Sequence, residues 1–528
     1  MLKKVKKVTK SVVKSAAQGV RNDPEVRKIV DKYPRTFRFI KKRLTPDERF
    51  GLYLTMGVLV TAIFGYLFLK ILFGFFTQDP LILSDLRILN VVSDFRTPGI
   101  SEIMLFFTYL CDKSVAYPGV LLVAVFLYLG NKWQYSLAFL VSIFSGEAFL
   151  KAVKILAERK RPPLGVALVK EESLDQSFPS GHAFLAVTFF GLVGYFIYRW
   201  VRNRAVRVAA VSLFGLLILA IGASRIYLGV HWPSDVLASW TAGAAWLAMT
   251  MTVLEVRRKF NEGKRRIGEQ ETKDRKTINS VIKGVSLSTI GIAFLVFWIG
   301  FAAYYYSRHS FRTSPLIQGR EEKPKILINQ EDIPDGLFAN LPRVSETISG
   351  KPQEPIHIVI IGDKERVEEI LKQAGWLPSD RINMKNVWRL VMAELEGKPY
   401  PRAPGVPSLW DAVPNDLAYE KPTESNSVGE RHHLHLWEAP FSYEDREDVW
   451  FGTAHFDRAV KRAYSIILPT HTIDPAIDVE RENIKSDFIR TGKIEKVEEF
   501  QVVSPTLGKN QSGDLFFTDG KALIFYLR

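Results

Sequence analysis

Again and again between Phe50 and Tyr306 the chain runs apolar for long enough to cross a bilayer, and that repetition constrains its fold more than any other feature. A crossing helix needs about 20 predominantly apolar residues. Phe50–Phe76 is the first such run. Gln134–Leu156, Pro179–Tyr198, Val208–Ala223, Ser234–Leu254 and Val285–Tyr306 follow, with a less sharply bounded span at 114–130 that draws on the segment before it. Seven spans are expected. Residues 77–113 mix apolar stretches with Asp85, Arg87, Asp94, Arg96, Asp112 and Lys113, which predicts amphipathic helices in the outer interface.

The last two-fifths reads as soluble, so the mean hydropathy of +0.02 averages two unlike halves. The expected fold is a mainly α polytopic membrane bundle, six spans plus a seventh, followed by a soluble α+β domain. Its parts are a basic N-terminal segment (1–49), the six-span domain (50–255), a basic linker (256–283), the seventh span (284–307), a second linker (308–353) and the soluble domain (354–528). A single cysteine, Cys111, excludes a disulfide within the chain. The N-terminus lacks a short apolar core with a small-residue cleavage site, so the first span is expected to serve as the targeting signal.

The net charge of +15 would suit nucleic acid until it is located. Residues 1–49 carry +11, residues 256–283 carry +6, and Arg199, Arg202, Arg204 and Arg207 add four more. The positive charge therefore flanks the spans, where it sets orientation and meets anionic headgroups. No nucleic-acid partner is expected. With the N-terminus in the cytoplasm, these basic connections share the inner face, as the positive-inside rule requires. The outer side receives 77–113, 158–178, 224–233 and everything after 307. Lys154, Arg159, Lys160 and Arg161 break the rule at an outer end, and cations kept there call for a local anion.

Three motifs fall on that face. Lys154 and Arg161 are seven apart, nearly two helical turns, so a helix stopped by Pro162-Pro163 would present both on one side. Phe178-Pro179-Ser180-Gly181-His182 opens the fourth span. Proline suits a first turn, and the amides of Ser180 and Gly181 would be free to hold an anion. Ser224-Arg225 ends the fifth span, and His231-Trp232-Pro233-Ser234-Asp235 starts the sixth. Four residues place the Asp235 carboxylate where it could accept the His231 Nδ1 proton and leave Nε2 as nucleophile. Each piece also has a bland account: snorkelling cations, a capping serine, an aspartate favoured by the helix dipole.

Together they spell Lys-x6-Arg-Pro, Pro-Ser-Gly-His and Ser-Arg-x5-His-x3-Asp, and this resembles the tripartite signature of the type 2 phosphatidic acid phosphatase superfamily. The resemblance covers residues 50–255. It implies that His231 attacks phosphorus and becomes a transient phosphohistidine, that Asp235 orients it, and that His182 protonates the leaving oxygen and then activates water. Lys154, Arg161, Arg225, Ser180 and the Gly181 amide would clamp the non-bridging oxygens. Three fixed cations with backbone donors suit a pentacoordinate phosphoryl state, so no metal or other cofactor is expected. The implied substrate is a lipid phosphate with its tails in the bilayer. Undecaprenyl diphosphate comes first, then phosphatidate or phosphatidylglycerol phosphate, at the outer surface of the inner membrane. Alternatives are a catalytically silent lipid-binding or transport protein, and a phosphotransferase. The superfamily's vanadium haloperoxidases are soluble, which seven spans disfavour.

In the soluble part, Ile356–Ile361 predicts a strand, 363–374 a helix, and 448–454, 464–468 and 500–503 further strands. Leu515–Thr518, Asp519-Gly520 and Ala522–Leu527 predict a hairpin. Arg431-His432-His433-Leu434-His435-Leu436-Trp437, Thr470-His471 and Asp474-Pro475 through Asp478-Val479-Glu480-Arg481 resemble the LssY-type C-terminal domain. That resemblance supplies no biochemical role, and a binding or positioning module is expected. His433 and His435 share a strand face and, with His455, Asp457 or His471, could ligate a metal. Surface or hydrogen-bonded histidines are the expectation instead.

Overall fold

A computed structural model describes residues 51–163, 166–169, 176–268, 287–308, 325–425, 428–461, 470–510 and 513–528, together with a few positions before Gly51. The predicted strand at 464–468 and most of the basic segment 1–49 lie outside the described residues.

Among the described residues from Gly51 to Arg308, nine helices build the first part: α1 (Leu52–Thr77), α2 (Pro80–Asp94), α3 (Pro98–Tyr109), α4 (Lys113–Leu129), α5 (Trp133–Ala157), α6 (Gly181–Trp200), α7 (Arg204–Tyr227), α8 (Pro233–Gly268) and α9 (Leu287–Arg308). Five of them, α1, α5, α6, α7 and α8, are long and apolar enough to cross a membrane. α3 and α4 add a sixth candidate as one pair bent by 47°. The second span is expected to draw on the residues before 114, and α3 is the helix that leads into α4 there. α2 and α3 each begin with proline behind an acidic or hydroxyl cap: Asp79 accepts from the Leu81 amide and Thr97 from that of Ile100. The core of the bundle is aromatic and aliphatic, with Phe139, Phe189, Phe190, Phe196 and Phe214 among its buried members. α9 joins it through Trp298, whose indole N–H donates to the Val115 carbonyl at 3.0 Å. The chain is thus a multi-pass membrane protein with a β-rich C-terminal part.

Two expected linkers are partly ordered. Helix α8 runs on through 256–268 to Gly268, and residues 325–353 belong to the soluble fold. The reason is pairing: β1 (Ile326–Ile328) adds parallel to a long strand further on, and Val344–Glu346 pairs with Pro352–Pro355.

The remaining strands of the main sheet are β2 (Ile358–Ile361), β3 (Leu377–Pro378), β4 (Leu417–Pro422), β5 (Arg431–Tyr443), β6 (Glu447–Lys461), β7 (Thr470–Ile473), β8 (Ile494–Gln501) and β9 (Lys521–Leu527). Their order is β8-β9-β2-β6-β5-β4-β3, with β1 on β5 and β7 on β6. Every residue of β2 is buried, which explains its unbroken Ile-Val-Ile-Ile run. Helices α10 (Lys364–Gln373), α11 (Met384–Glu396) and α12 (Ile477–Arg490) complete this part. Val367, Ile370 and Leu371 of α10 and Ile484 and Phe488 of α12 pack on one face of the sheet. The predicted hairpin at 515–527 does not form. Leu515–Thr518 pairs with Thr506–Lys509 in a separate ribbon, whereas β9 pairs with β8 and β2. Gly520, at φ +76, turns the chain out of one sheet and into the other, its carbonyl accepting from Val502 and Val503.

The two parts touch at α2. Arg87 makes an ion pair with Glu346 at 2.6 Å, and Asn90 Nδ2 donates to the Ala412 carbonyl at 2.7 Å.

Candidate active site

The three motifs meet at helix ends. Asp235 lies in the first turn of α8 and is fully buried. His231 precedes that helix, with Nδ1 3.3 Å from Asp235 Oδ2 and 3.4 Å from Ser177 Oγ. The same carboxylate accepts from the Ser177 hydroxyl, from the Trp232 amide at 3.0 Å and from Arg159 Nη1 at 2.7 Å. With Nδ1 facing Asp235, Nε2 lies on the other side of the ring. Burial pushes the His231 imidazole down to about 4; Arg225 and Arg161 push the same way, and the bond to Asp235 opposes them. The ring is therefore neutral at pH 7, as a nucleophile must be.

The Pro-Ser-Gly-His segment joins by its backbone: the Ser180 amide donates to the Asp235 carbonyl at 3.4 Å. Two expectations change here. Pro179 precedes the cap and is not in the first turn, since α6 begins at Gly181 with Ser180 as its cap. The Ser180 amide is occupied by that carbonyl, so the segment's contribution toward an anion comes from elsewhere. The Ser180 hydroxyl is buried and has no hydrogen-bond partner among the described residues. Gly181 and His182, the first two residues of α6, are half-buried. No atom lies within 4 Å of where a Gly181 Cβ would stand.

The first motif is built differently from its sequence expectation. α5 ends at Ala157, because Glu158 turns left-handed (φ 47) and its amide caps onto the Lys154 carbonyl. Arg161 thus lies in the following loop, not on a shared helix face with Lys154, and the prolines do not stop the helix. Loop contacts bring both cations in. Lys154 Nζ bonds the Gln176 carbonyl, next to Ser177. Arg161 Nη1 donates to the Val230 carbonyl at 2.9 Å, next to His231. Arg225, in the last turn of α7, is buried and donates to Thr108 Oγ1 at 2.6 Å. Gly229 sits between them at φ +69, and a Cβ there would stand 2.4 Å from the Val166 carbonyl oxygen. Only glycine makes that turn without strain.

Four participants escape the sequence motifs: Asp85, Arg159, Ser177 and Ser234. Arg159 reaches Asp235 with one terminal nitrogen and Asp85 with the other, at 2.7 and 2.5 Å. Its guanidinium lies 5.1 Å from the Phe75 ring and 5.2 Å from that of Trp232. Asp85 also accepts from the Ser234 amide at 2.9 Å and from its hydroxyl, so α2 supplies the N-terminal anion of α8. Asp85 had one visible signal, a carboxylate among the apolar residues of an amphipathic segment. Arg159 showed itself as one of the cations on the disfavoured side. Ser177 and Ser234 gave none.

A neutral buried imidazole oriented by a carboxylate, with Arg225 and Arg161 near enough to act on its charge, suits attack on a tetrahedral anion. Comparison with known proteins agrees in kind. The model of the PAP2 superfamily matches residues 132–259, and that of the LssY C-terminus matches 338–522. Phosphatidylglycerophosphatase B of Bacillus subtilis (strain 168) is 30% identical over 149 residues, which are 28% of this chain and 72% of that protein. Undecaprenyl-diphosphatase of Sulfolobus acidocaldarius is 31% identical over 91 residues, 17% of this chain and 38% of that protein. Among solved structures, the transmembrane PAP2 type phosphatidylglycerolphosphate phosphatase from Bacillus subtilis aligns with a TM-score of 0.33 at 24% identity, covering 41% of this chain and 99% of its own.

Proposed function

The chain belongs to the PAP2 superfamily and is a membrane lipid phosphatase, and from that premise we propose that it works through a phosphohistidine on His231. What supports this is the joining of three separate segments around Asp235: His231 on its carboxylate, Ser180 on its carbonyl, and Arg161 on the residue before His231. In the first step His231 Nε2 forms a bond to phosphorus as the bond to the leaving oxygen breaks, and His182 gives that oxygen a proton. In the second, His182 takes a proton from water, the water oxygen bonds to phosphorus, and the phosphorus–nitrogen bond breaks to release inorganic phosphate. Asp235 accepts a hydrogen bond from Nδ1–H throughout and stabilises the charge the ring acquires. Lys154, Arg161, Arg225, the Ser180 hydroxyl and the Gly181 amide hold the non-bridging oxygens, so the reaction draws on protein groups alone.

Undecaprenyl diphosphate is the substrate we put first. Read by the positive-inside rule, the basic connections support an outward-facing site, and that is where a polyprenyl carrier is left as a diphosphate after glycan polymerisation. Phosphatidylglycerol phosphate is the second reading, favoured by the relative that matches over the greater length. Protein purified in detergent and assayed with both lipids and phosphatidate, in the presence of EDTA, tests the proposal. Phosphate release that His231→Ala abolishes is the expected result. No release from any of the three, with the variant indistinguishable from the parent, would leave a lipid-binding protein. Phosphate delivered to an acceptor other than water would make it a phosphotransferase.

A further inference from the structure

We propose that the soluble domain holds a divalent transition-metal ion on His433, His455 and Asp457, with His435 and His471 beside it as further nitrogen donors. None of these residues takes part in the phosphatase site.

The sheet gathers them. Residues two apart on a strand face the same way, so His433 and His435 of β5 share a side, as do His455 and Asp457 of β6. His455 stands directly across from His433 in the pairing of the two strands. β7, on the far side of β6, adds His471, whose Nδ1 is 3.4 Å from Asp457 Oδ2. The imidazole centroids of His433 and His435 are 4.2 Å apart, and those of His433 and His455 are 5.3 Å apart. One donor atom from each of His433, His455 and Asp457 lies within 4.8 Å of the other two. All five side chains line a cavity of about 90 Å³.

Three further observations single the cluster out from a set of hydrogen-bonded histidines. Among the described residues, His433 Nε2, His435 Nδ1, His471 Nε2 and Asp457 Oδ1 are buried without a hydrogen-bond partner. Glu420 Oε1 lies 3.4 Å from that His433 nitrogen but is not aligned for a hydrogen bond. Buried imidazole nitrogens and carboxylate oxygens rarely stay unsatisfied, and a cation held between His433 and Asp457 answers that need at its own ligands. Next, Glu354 Oε2 is 3.1 Å from His455 Nδ1, which turns Nε2 toward Asp457 Oδ1 at 3.5 Å. A carboxylate behind the imidazole is how a metal-binding histidine is usually oriented. Finally, Gly405 lets a loop close over the cluster: a Cβ there would stand 2.3 Å from His433 Cε1. Imidazole nitrogens with one carboxylate suit Zn²⁺ or a similar ion, whereas Ca²⁺ and Mg²⁺ prefer oxygen donors.

The test uses the full chain in detergent, stripped with a chelator and dialysed, then titrated with Zn²⁺ against a chromophoric chelator and separately with Co²⁺. One tightly held equivalent of Zn²⁺ is expected, with a visible Co²⁺ absorption band. His433→Gln and Asp457→Asn should each weaken uptake by at least about tenfold. His231→Ala should retain the equivalent, which assigns the ion to the soluble domain. His432→Gln should retain it too, because His432 faces the other side of β5, where it bonds Glu480 at 2.8 Å. If the ligand variants fail to fold, the parent still decides. A parent chain that takes up no equivalent of Zn²⁺ and gives no Co²⁺ band overturns the proposal, as does uptake that survives both ligand substitutions or disappears in His231→Ala.

Discussion

Arg159 lies 2.7 Å from the Asp235 carboxylate, with both side chains buried. Since its second nitrogen holds Asp85, removing the guanidinium leaves two carboxylates in a place that water does not reach. Breaking a buried pair in this way costs about 3–5 kcal/mol. Arg159→Gln should lower the unfolding free energy in detergent by that order and reduce turnover as well. A variant with the parent's stability would show that the pair contributes nothing to the fold.

Asp235→Asn separates orientation from attack. Asparagine keeps the shape but can present an N–H to His231 Nδ1, which favours the wrong tautomer. A fall in kcat of roughly ten-thousandfold is expected, by analogy with other carboxylate–imidazole pairs. The acid-labile, base-stable phosphoenzyme trapped during turnover should diminish in parallel and be absent from His231→Ala. A phosphoenzyme that persists in His231→Ala would move the covalent step to another residue.

The pH dependence follows from burial. His231 is pushed from 6.5 down to about 4, so the neutral ring persists well into acid. Once substrate ionisation is corrected for, kcat/KM should hold between pH 7 and 5 and fall only toward pH 4; an acid limb centred on 6.5 would contradict this. Stability responds with a definite sign. Below about pH 6.5 the unfolded chain binds a proton that the folded imidazole refuses, so folding weakens as pH falls, until the folded value is passed.

Gly229→Ala should damage the site without touching a charged group. A left-handed backbone and a carbonyl 2.4 Å from the new methyl both oppose the substitution, and the segment that must move carries Val230 and His231. A loss of about 1–3 kcal/mol is expected, together with reduced kcat. Equal activity and melting temperature in the variant would mean the loop relaxes freely.

The contact between Asp235 and His231 was legible in the sequence because a four-residue spacing at a helix start limits where a side chain can go. The cations were legible as charges in a disfavoured place, though not in their geometry. The sequence offers Pro162-Pro163 as the stop for α5, but Glu158 ends the helix four residues earlier, and nothing in a glutamate announces a left-handed cap. Asp85 and Arg159 are 74 residues apart, and their pairing exists only once α2 is packed. The strand ending at Thr518 and the one starting at Lys521 look like a hairpin in composition. Only the competing partners, β2 and β8, decide otherwise.

α2 has two obligations. Asp85 leaves it toward Arg159 and Ser234, while Arg87 and Asn90 leave it toward Glu346 and Ala412. A rigid rod gripped at both places transmits displacement, so tilting the β-sheet against the helices would tug on the anchor beneath His231. Neither half can be repositioned alone.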